Sequence, residues 1–201
     1  MSKPKMLITG GQGDIAQAIA ERYKDEYELY LPSSKELDVT DKNSVKEYIK
    51  DLEFDVLINN AGTIHPKRIL KSDEVLWERD IKVNLIGPYF VTKRVLGNNS
   101  KCLVINISST AAFNSYPDWS SYCSAKAGLV TLSKSLANDG FKSICLCPGG
   151  ILTKFRDGLG LSNANAMTTE QVVNLISDVF SKKYESGDVV FFRNDELIVN
   201  P

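Results

Sequence analysis

Short apolar runs alternate with stretches of helical periodicity along the whole chain. The opening KMLITG is a brief β-type run that ends in a glycine-rich turn. After the turn, Ile15, Ala18, Ile19 and Ala20 recur at helical spacing, predicting strand, tight loop and helix. YELYLP (residues 27–32) predicts a second strand, DKNSVKEYIKDLE a short helix capped by Thr40 or Asp41, and FDVLINNAG a buried strand. A helix is expected over residues 73–96, a strand in KCLVINISS, a helix over 121–138 and a strand in SICLCPGG. A helix over 168–180, capped by Thr168 or Thr169, precedes DVVFFRNDELIVN, which predicts one or two strands around an Asn194-Asp195 turn. Strands joined by helix-length segments make a parallel sheet covered on both faces, because a parallel crossover needs that much chain. The fold class is therefore α/β, a doubly wound parallel sheet with helices on both faces, in a single domain over residues 1–201.

Composition narrows the function classes without changing that picture. A chain of 201 residues with 43% hydrophobic residues, 24% charged residues and a formal net charge of −1 is an ordinary globule. No excess of positive charge draws it to nucleic acid or anionic lipid, so neither is expected as a partner. Cys102, Cys123, Cys145 and Cys147 form no C-x-x-C pair, and His65 is the one histidine, which argues against a zinc site. Three of these cysteines lie in apolar strand-like runs, no signal-peptide pattern is evident and no apolar run approaches the roughly 20 residues of a membrane span. A cytoplasmic protein is expected.

In a doubly wound sheet the first strand-to-helix turn is the usual phosphate site. TGGQGDIA stands there: Gly10, Gly11 and Gly13 let the main chain approach a pyrophosphate and aim amides at it from a helix N-terminus. This turn resembles the T-G-x-x-x-G-x-G turn of the short-chain dehydrogenases/reductases, and further signals follow in that family's order. They are Asp38-Val39, NNAG (residues 59–62), Asn84 in VNLIGPY, Ser109 in NISS, Tyr122-x-x-x-Lys126 and PGGILT (residues 148–153). The resemblance covers roughly residues 5–153. It departs at the turn: aligned on Thr9-Gly10, the family's second glycine falls on Asp14 and its third on Ala16, with Gly13 one residue early. Asp14 brings a negative charge towards a pyrophosphate unless it caps the helix.

The resemblance implies a Rossmann-like fold, with a cofactor half over about 1–100, a catalytic half over about 101–201 and a nicotinamide cofactor. It implies that Thr9, Gly10, Gly11, Gln12, Gly13, Asp14 and Ile15 meet the pyrophosphate. Asp38 and Val39 flank the adenine, and Asn60, Ala61 and Gly62 line the ribose. Pro148, Gly149, Ile151 and Thr153 meet the nicotinamide carboxamide or a phosphate. Asn59 is expected to satisfy main-chain groups between strands. An NAD site carries an acidic residue about 20 residues past the turn. Here LYLPSSKELD offers Ser33, Ser34 and Lys35, which suit a 2′-phosphate, so NADP(H) is favoured over NAD(H), although Glu36 is placed to serve a diol. Only residues 33–37 stand where relatives carry another helix, so an abbreviated sheet is expected.

Carbonyl reduction needs a proton donor beside the carbonyl oxygen. Tyr122 and Lys126 lie one helical turn apart on one face, and an ammonium near a phenol favours the phenolate, lowering its ordinary pKa of about 10. By resemblance Tyr122 is the general acid/base, Lys126 lowers its pKa and holds ribose, Ser109 orients the substrate oxygen and Asn84 holds a relay water. Ser108 is expected to point into packing, and His65 is taken as a surface histidine without a role. Residues 154–167 look like a lid, in which Lys154 and Arg156 are placed to hold an anion. The function expected is hydride transfer between a nicotinamide cofactor and a small carbonyl or alcohol substrate, in a homodimer or homotetramer paired through helices near 83–96 and 121–138. The alternative is a non-catalytic nucleotide-binding or regulatory protein on the same fold.

Overall fold

A computed structural model describes residues 2–160, 162, 164–194 and 196–201. Leu161 and Asn163 of the expected lid, and Asp195 of the expected turn, lie outside the described residues. Seven strands form one sheet: β1 (Lys5–Ile8), β2 (Glu28–Tyr30), β3 (Val56–Asn59), β4 (Leu103–Ile107), β5 (Ser143–Pro148), β6 (Val189–Arg193) and β7 (Glu196–Val199). Their order is β2-β1-β3-β4-β5-β6-β7. The first six are parallel and β7 returns antiparallel to β6, since so few residues separate the two strands that no crossover helix fits. The doubly wound parallel sheet expected is thus present, and its closing segment supplies two strands, β6 and the antiparallel β7. Beyond β1, β2 forms the edge with three residues, as the short 33–37 connection implied.

Every second side chain of the central strands faces the same core. Met6, Ile8, Val56, Ile58, Ile105, Ile107, Ile144, Leu146, Val190 and Phe192 pack beneath α1 (Asp14–Tyr23) and α7 (Thr169–Phe180). Leu7, Leu57 and Val104 face the other side with α2 (Lys42–Ile49) and α4 (Gly87–Asn98). Burial on both faces is why the strands present nearly continuous apolar runs rather than alternation. α2 is capped by Asp41, which accepts from the Asn43 amide, and α7 by a Thr168–Gln171 capping box.

The helix expected over 73–96 is three pieces. α3 (Glu74–Ile81) passes through a π-helical turn over Lys82–Ile86 into α4. Pro88 has no N–H to continue the ladder, and the Gly87 amide reaches back five residues to the Lys82 carbonyl. Gly87 also packs closely: a Cβ there would lie 2.7 Å from the Val39 side chain. The widened turn places Asn84, fully buried, at the inner side of the helix. α5 (Ser120–Asn138) packs on β5 and on this turn, and a short helix, α6 (Lys154–Asp157), follows β5.

Candidate active site

The sheet order reverses at β1 and β3, and outside the carboxyl ends of the strands opens a cleft of about 1300 Å³. At one end is the glycine turn. Gly10 takes φ +66°, a left-handed conformation, with its backbone against Ala61. A Cβ on Gly11 would lie 2.3 Å from the Leu31 carbonyl, so that position admits only glycine. The Thr9 hydroxyl accepts from the amides of Asn60 (3.0 Å) and Ala61 (3.1 Å). Thr9 and Gly11 therefore hold the turn from behind, in contrast to the expected direct contact, while Gly10, Gln12, Gly13, Asp14 and Ile15 line the cleft. Gly13 caps α1 without a side-chain bond, which leaves first-turn amides open to the cleft. A pyrophosphate fits that cradle. Asp14 does not cap α1: its carboxylate accepts from the Lys154 amide at 2.6 Å, joining the glycine turn to the start of α6.

Further along, Ser33, Ser34, Asp38 and Val39 line the cleft where an adenosine would lie. The Ser33 amide and hydroxyl both donate to Glu36, at 2.8 Å each, and these bonds hold the Glu36 carboxyl below its usual range. Asp38 accepts from the amide and hydroxyl of Thr40. Asn60, Ala61 and Gly62 line the cleft, and the Asn60 side chain donates to the Thr9 carbonyl. Asn59 is buried and donates to Thr92 and Asn106, tying β3 to α4 and β4.

At the other end, Ser109, Tyr122 and Lys126 converge. Ser109 follows β4 in extended conformation, accepts from the Ala111 amide at 3.1 Å and, with Tyr122, lines the cleft. Lys126 is buried: its Nζ donates to the Ile107 carbonyl at 2.9 Å and stands 5.5 Å from the centre of the Tyr122 ring. Ser108 turns inward to donate to the Lys126 carbonyl, fixing β4 to α5. Contrary to expectation, the Tyr122 phenol is not lowered. Burial pushes it up to about 12, and the neighbouring Ser109 hydroxyl opposes this only in part. Burial also lowers Lys126 to about 8. The ammonium donates to the Ile107 carbonyl and stands over the ring, and desolvation is the largest influence on both groups. Pro148, Gly149, Ile151 and Thr153 complete the cleft floor.

Asn84 donates to the carbonyls of Thr63 (2.7 Å) and Asp80 (2.8 Å), and its buried Oδ1 has no partner among the described residues. That oxygen is 3.0 Å from where a Gly62 Cβ would sit. Beside it is a group the sequence reading missed. The fully buried Asp80 carboxylate accepts from Thr63 Oγ1 (2.9 Å), the His65 amide (2.9 Å) and Ser121 Oγ (2.7 Å), and pairs with His65 Nδ1 (2.8 Å). His65 is thus no isolated surface residue. The one available signal was an acid one helical turn before Asn84. No group of three or more His, Cys, Asp or Glu side chains suited to a metal occurs among the described residues. Nor is any helix among them long and apolar enough to cross a membrane.

The short chain dehydrogenase family model matches residues 32–164. The chain belongs to the short-chain dehydrogenase family. It is a nicotinamide-dependent oxidoreductase of the kind that acts on CH–OH or carbonyl groups. An uncharacterized oxidoreductase of Thermotoga maritima is 44% identical over 108 residues, 50% of this chain and 42% of that protein. The 3-oxoacyl-[acyl-carrier-protein] reductase FabG of Aquifex aeolicus is 28% identical over 206 residues, 96% of this chain and 80% of the relative. Among solved structures, ElxO with NADP bound shares 26% identity at a TM-score of 0.78, covering 93% of this chain and 96% of that one.

Proposed function

We propose that this short-chain dehydrogenase interconverts a small carbonyl compound and its alcohol with NADP(H), using Tyr122, Lys126, Ser109 and Asn84. The observation that carries the reading is the convergence of Ser109, Tyr122 and a buried Lys126 at one end of a cleft whose other end is a phosphate cradle. When bound, the reduced nicotinamide supplies a hydride to the carbonyl carbon and leaves oxidised. Tyr122 gives its proton to the carbonyl oxygen, so the product is the neutral alcohol. With its pKa at about 12 in the free protein, the phenol enters the reaction protonated and ready to donate. Ser109, which lines the cleft with that phenol, holds the carbonyl oxygen against it. Lys126 holds the cofactor ribose, and the open Oδ1 of Asn84 holds a water that returns a proton to the site.

NADP(H) is favoured by Ser33 and Ser34 on the cleft wall, with Lys35 adjoining them, although Glu36 already engages Ser33. The protein is taken to work as one domain over residues 1–201, in the cytoplasm, as a homodimer or homotetramer paired through α4 and α5. The reading is tested by assaying carbonyls and alcohols with either cofactor. Tyr122→Phe should lower kcat by about 10²- to 10⁴-fold while leaving cofactor binding intact. Turnover that survives the substitution would sink the mechanism. One pair of observations favours the non-catalytic alternative, namely the carboxylates of Asp14 and Glu36 at the phosphate-binding end. Absence of a thermal shift with both NADPH and NADH would count against the oxidoreductase reading and move the assignment to this alternative, because a ligand specific to the folded state must stabilise it.

A further inference from the structure

We infer that the substrate carries its carbonyl on a planar, apolar group, an aryl ring or a conjugated system, received by a row of aromatic side chains beside Tyr122. The inference rests on the oxidoreductase reading for the position of the carbonyl, and on independent geometry for the rest. Four rings line the catalytic end of the cleft in unbroken succession. Tyr116 meets Trp119 at 5.4 Å between centroids, Trp119 meets Tyr122 at 5.8 Å, and Tyr122 meets Phe155 at 6.4 Å. All three separations lie in the range of favourable ring pairs. The outermost rings are not covered: Tyr116 is 39% and Phe155 43% exposed. Large apolar surface left in water at the mouth of a cleft is surface a ligand is suited to cover.

The row is fixed before any ligand arrives. Asp118, between Tyr116 and Trp119, adopts φ +69°, a left-handed conformation that Asp takes more readily than most residues and that fixes the turn between the two rings. The Arg68 guanidinium pairs with the Asp118 carboxylate at 2.9 Å, and the Lys67 amide donates to the Asp118 carbonyl at 2.8 Å. Trp119 is also the N-cap of α5, so one helix end positions Trp119 and Tyr122 together. The opposite side of the row comes from Phe155 in α6, whose first amide is held by Asp14.

Charge points the same way. Among the described residues lining the cleft, the acidic ones, Asp14 and Asp38, lie towards the glycine turn, and the Asp118 carboxylate at the aromatic end is paired with Arg68, so no unpaired carboxylate among them recruits a cationic substrate there. The successive rings are inclined by 64°, 87° and 39°, so a flat ligand gains face and edge contacts among them, whereas a flexible alkyl chain must be ordered to reach the same contacts.

The test compares 2-acetylnaphthalene with cyclohexyl methyl ketone and 2-decanone, on the intact protein with NADP⁺ for binding and NADPH for turnover. Binding is followed through quenching of tryptophan fluorescence and needs no catalysis. The naphthyl ketone should bind and turn over at least about tenfold better than either saturated ketone. Phe155→Ala, followed by fluorescence, and Trp119→Leu, followed through KM because it removes a reporting tryptophan, should each weaken naphthyl-ketone binding by about 2- to 10-fold and narrow its preference over 2-decanone. The two variants are complementary, since a folding defect in Trp119→Leu would not extend to the surface ring. Equal or better binding of 2-decanone, or naphthyl binding indifferent to both substitutions, would overturn the substrate class. Selective naphthyl binding without reduction would uphold the substrate class and count against the oxidoreductase mechanism instead.

Discussion

At the catalytic end of the cleft, polar side chains are buried and bonded to one another: Asp80 joins Thr63, His65 and Ser121, while Ser108 and Lys126 tie α5 to β4. At the glycine-turn end, the polar groups are half-buried or exposed and engage what a cofactor would need, with Asp14 on the Lys154 amide and Glu36 on Ser33. The difference follows from what each end must do. Proton transfer requires groups held within a fraction of an ångström, which favours a dry, pre-bonded network. A cofactor that enters and leaves requires a seat whose internal bonds can be exchanged for ligand bonds. The catalytic end should therefore respond to substitution with large changes in stability, and the cofactor end with small changes in affinity.

The largest effect should come from Lys126. Below about pH 8 both folded and unfolded chains carry its proton; between about 8 and the ordinary value of 10.5 only the unfolded chain does. The unfolded state then binds more protons, so stability rises with pH across that window, by about 3 kcal/mol for this group. Tyr122 acts oppositely above pH 10, where the unfolded chain loses a proton that the folded chain keeps until about 12. Urea midpoints at pH 8, 9 and 10 should climb for the native protein relative to Lys126→Met. Parallel profiles would mean that the ammonium is solvated and the catalytic end less dry than described. Asp80→Ala comes next, because it leaves the Thr63 and Ser121 hydroxyls and the His65 amide without their acceptor. A loss of about 2 kcal/mol is expected, read as a fall in Tm of roughly 4–8 °C. An unchanged Tm would show that water replaces the carboxylate.

What the sequence disclosed divides along the same line. Strand and helix order was legible because burial on both faces makes the strands apolar throughout and the helices periodic. Tyr122, Lys126 and Ser109 were legible because their motifs are local in sequence. Asp80 was not, since its partners come from residues 63, 65 and 121, and nothing in one helical turn announces contacts that distant. The aromatic row was hidden for the same reason: Phe155 reaches Tyr122 only after β5 and α6 are in place. Thr9 and Gly11 carried the expected motif but serve behind the turn, a distinction of direction that a motif does not encode. The direction of the Tyr122 shift was missed because spacing places Lys126 on the right face without saying that desolvation is the largest influence on the phenol.

Smaller effects belong to the glycine-turn end. Asp14→Asn keeps an acceptor for the Lys154 amide while removing the charge, so it separates the strap from the repulsion. Cofactor binding should tighten by about 3- to 10-fold at low salt, the scale of one unit charge a few ångströms from another in a water-rich site. The gain should shrink as salt screens it. If affinity falls instead, Asp14 is an aid to binding, and its hold on α6 matters more than its charge.

The smallest effect is also the one that decides the cofactor. Glu36 accepts from both the amide and the hydroxyl of Ser33, so a 2′-phosphate seated at Ser33 would meet a carboxylate that those same bonds keep ionised. Glu36→Gln preserves an acceptor and removes the charge. Because Glu36 is exposed and screened, titration of NADPH fluorescence should show binding only about 2- to 3-fold tighter at low salt, fading at high salt, with NADH unaffected. The opposite pattern is equally readable. If NADH binding weakens and NADPH binding does not improve, Glu36 is holding a ribose diol, Ser33 is its orienting partner, and the cofactor is NAD(H). The Ser33–Glu36 pair then fits either cofactor in geometry, and the sign of one charge substitution distinguishes them.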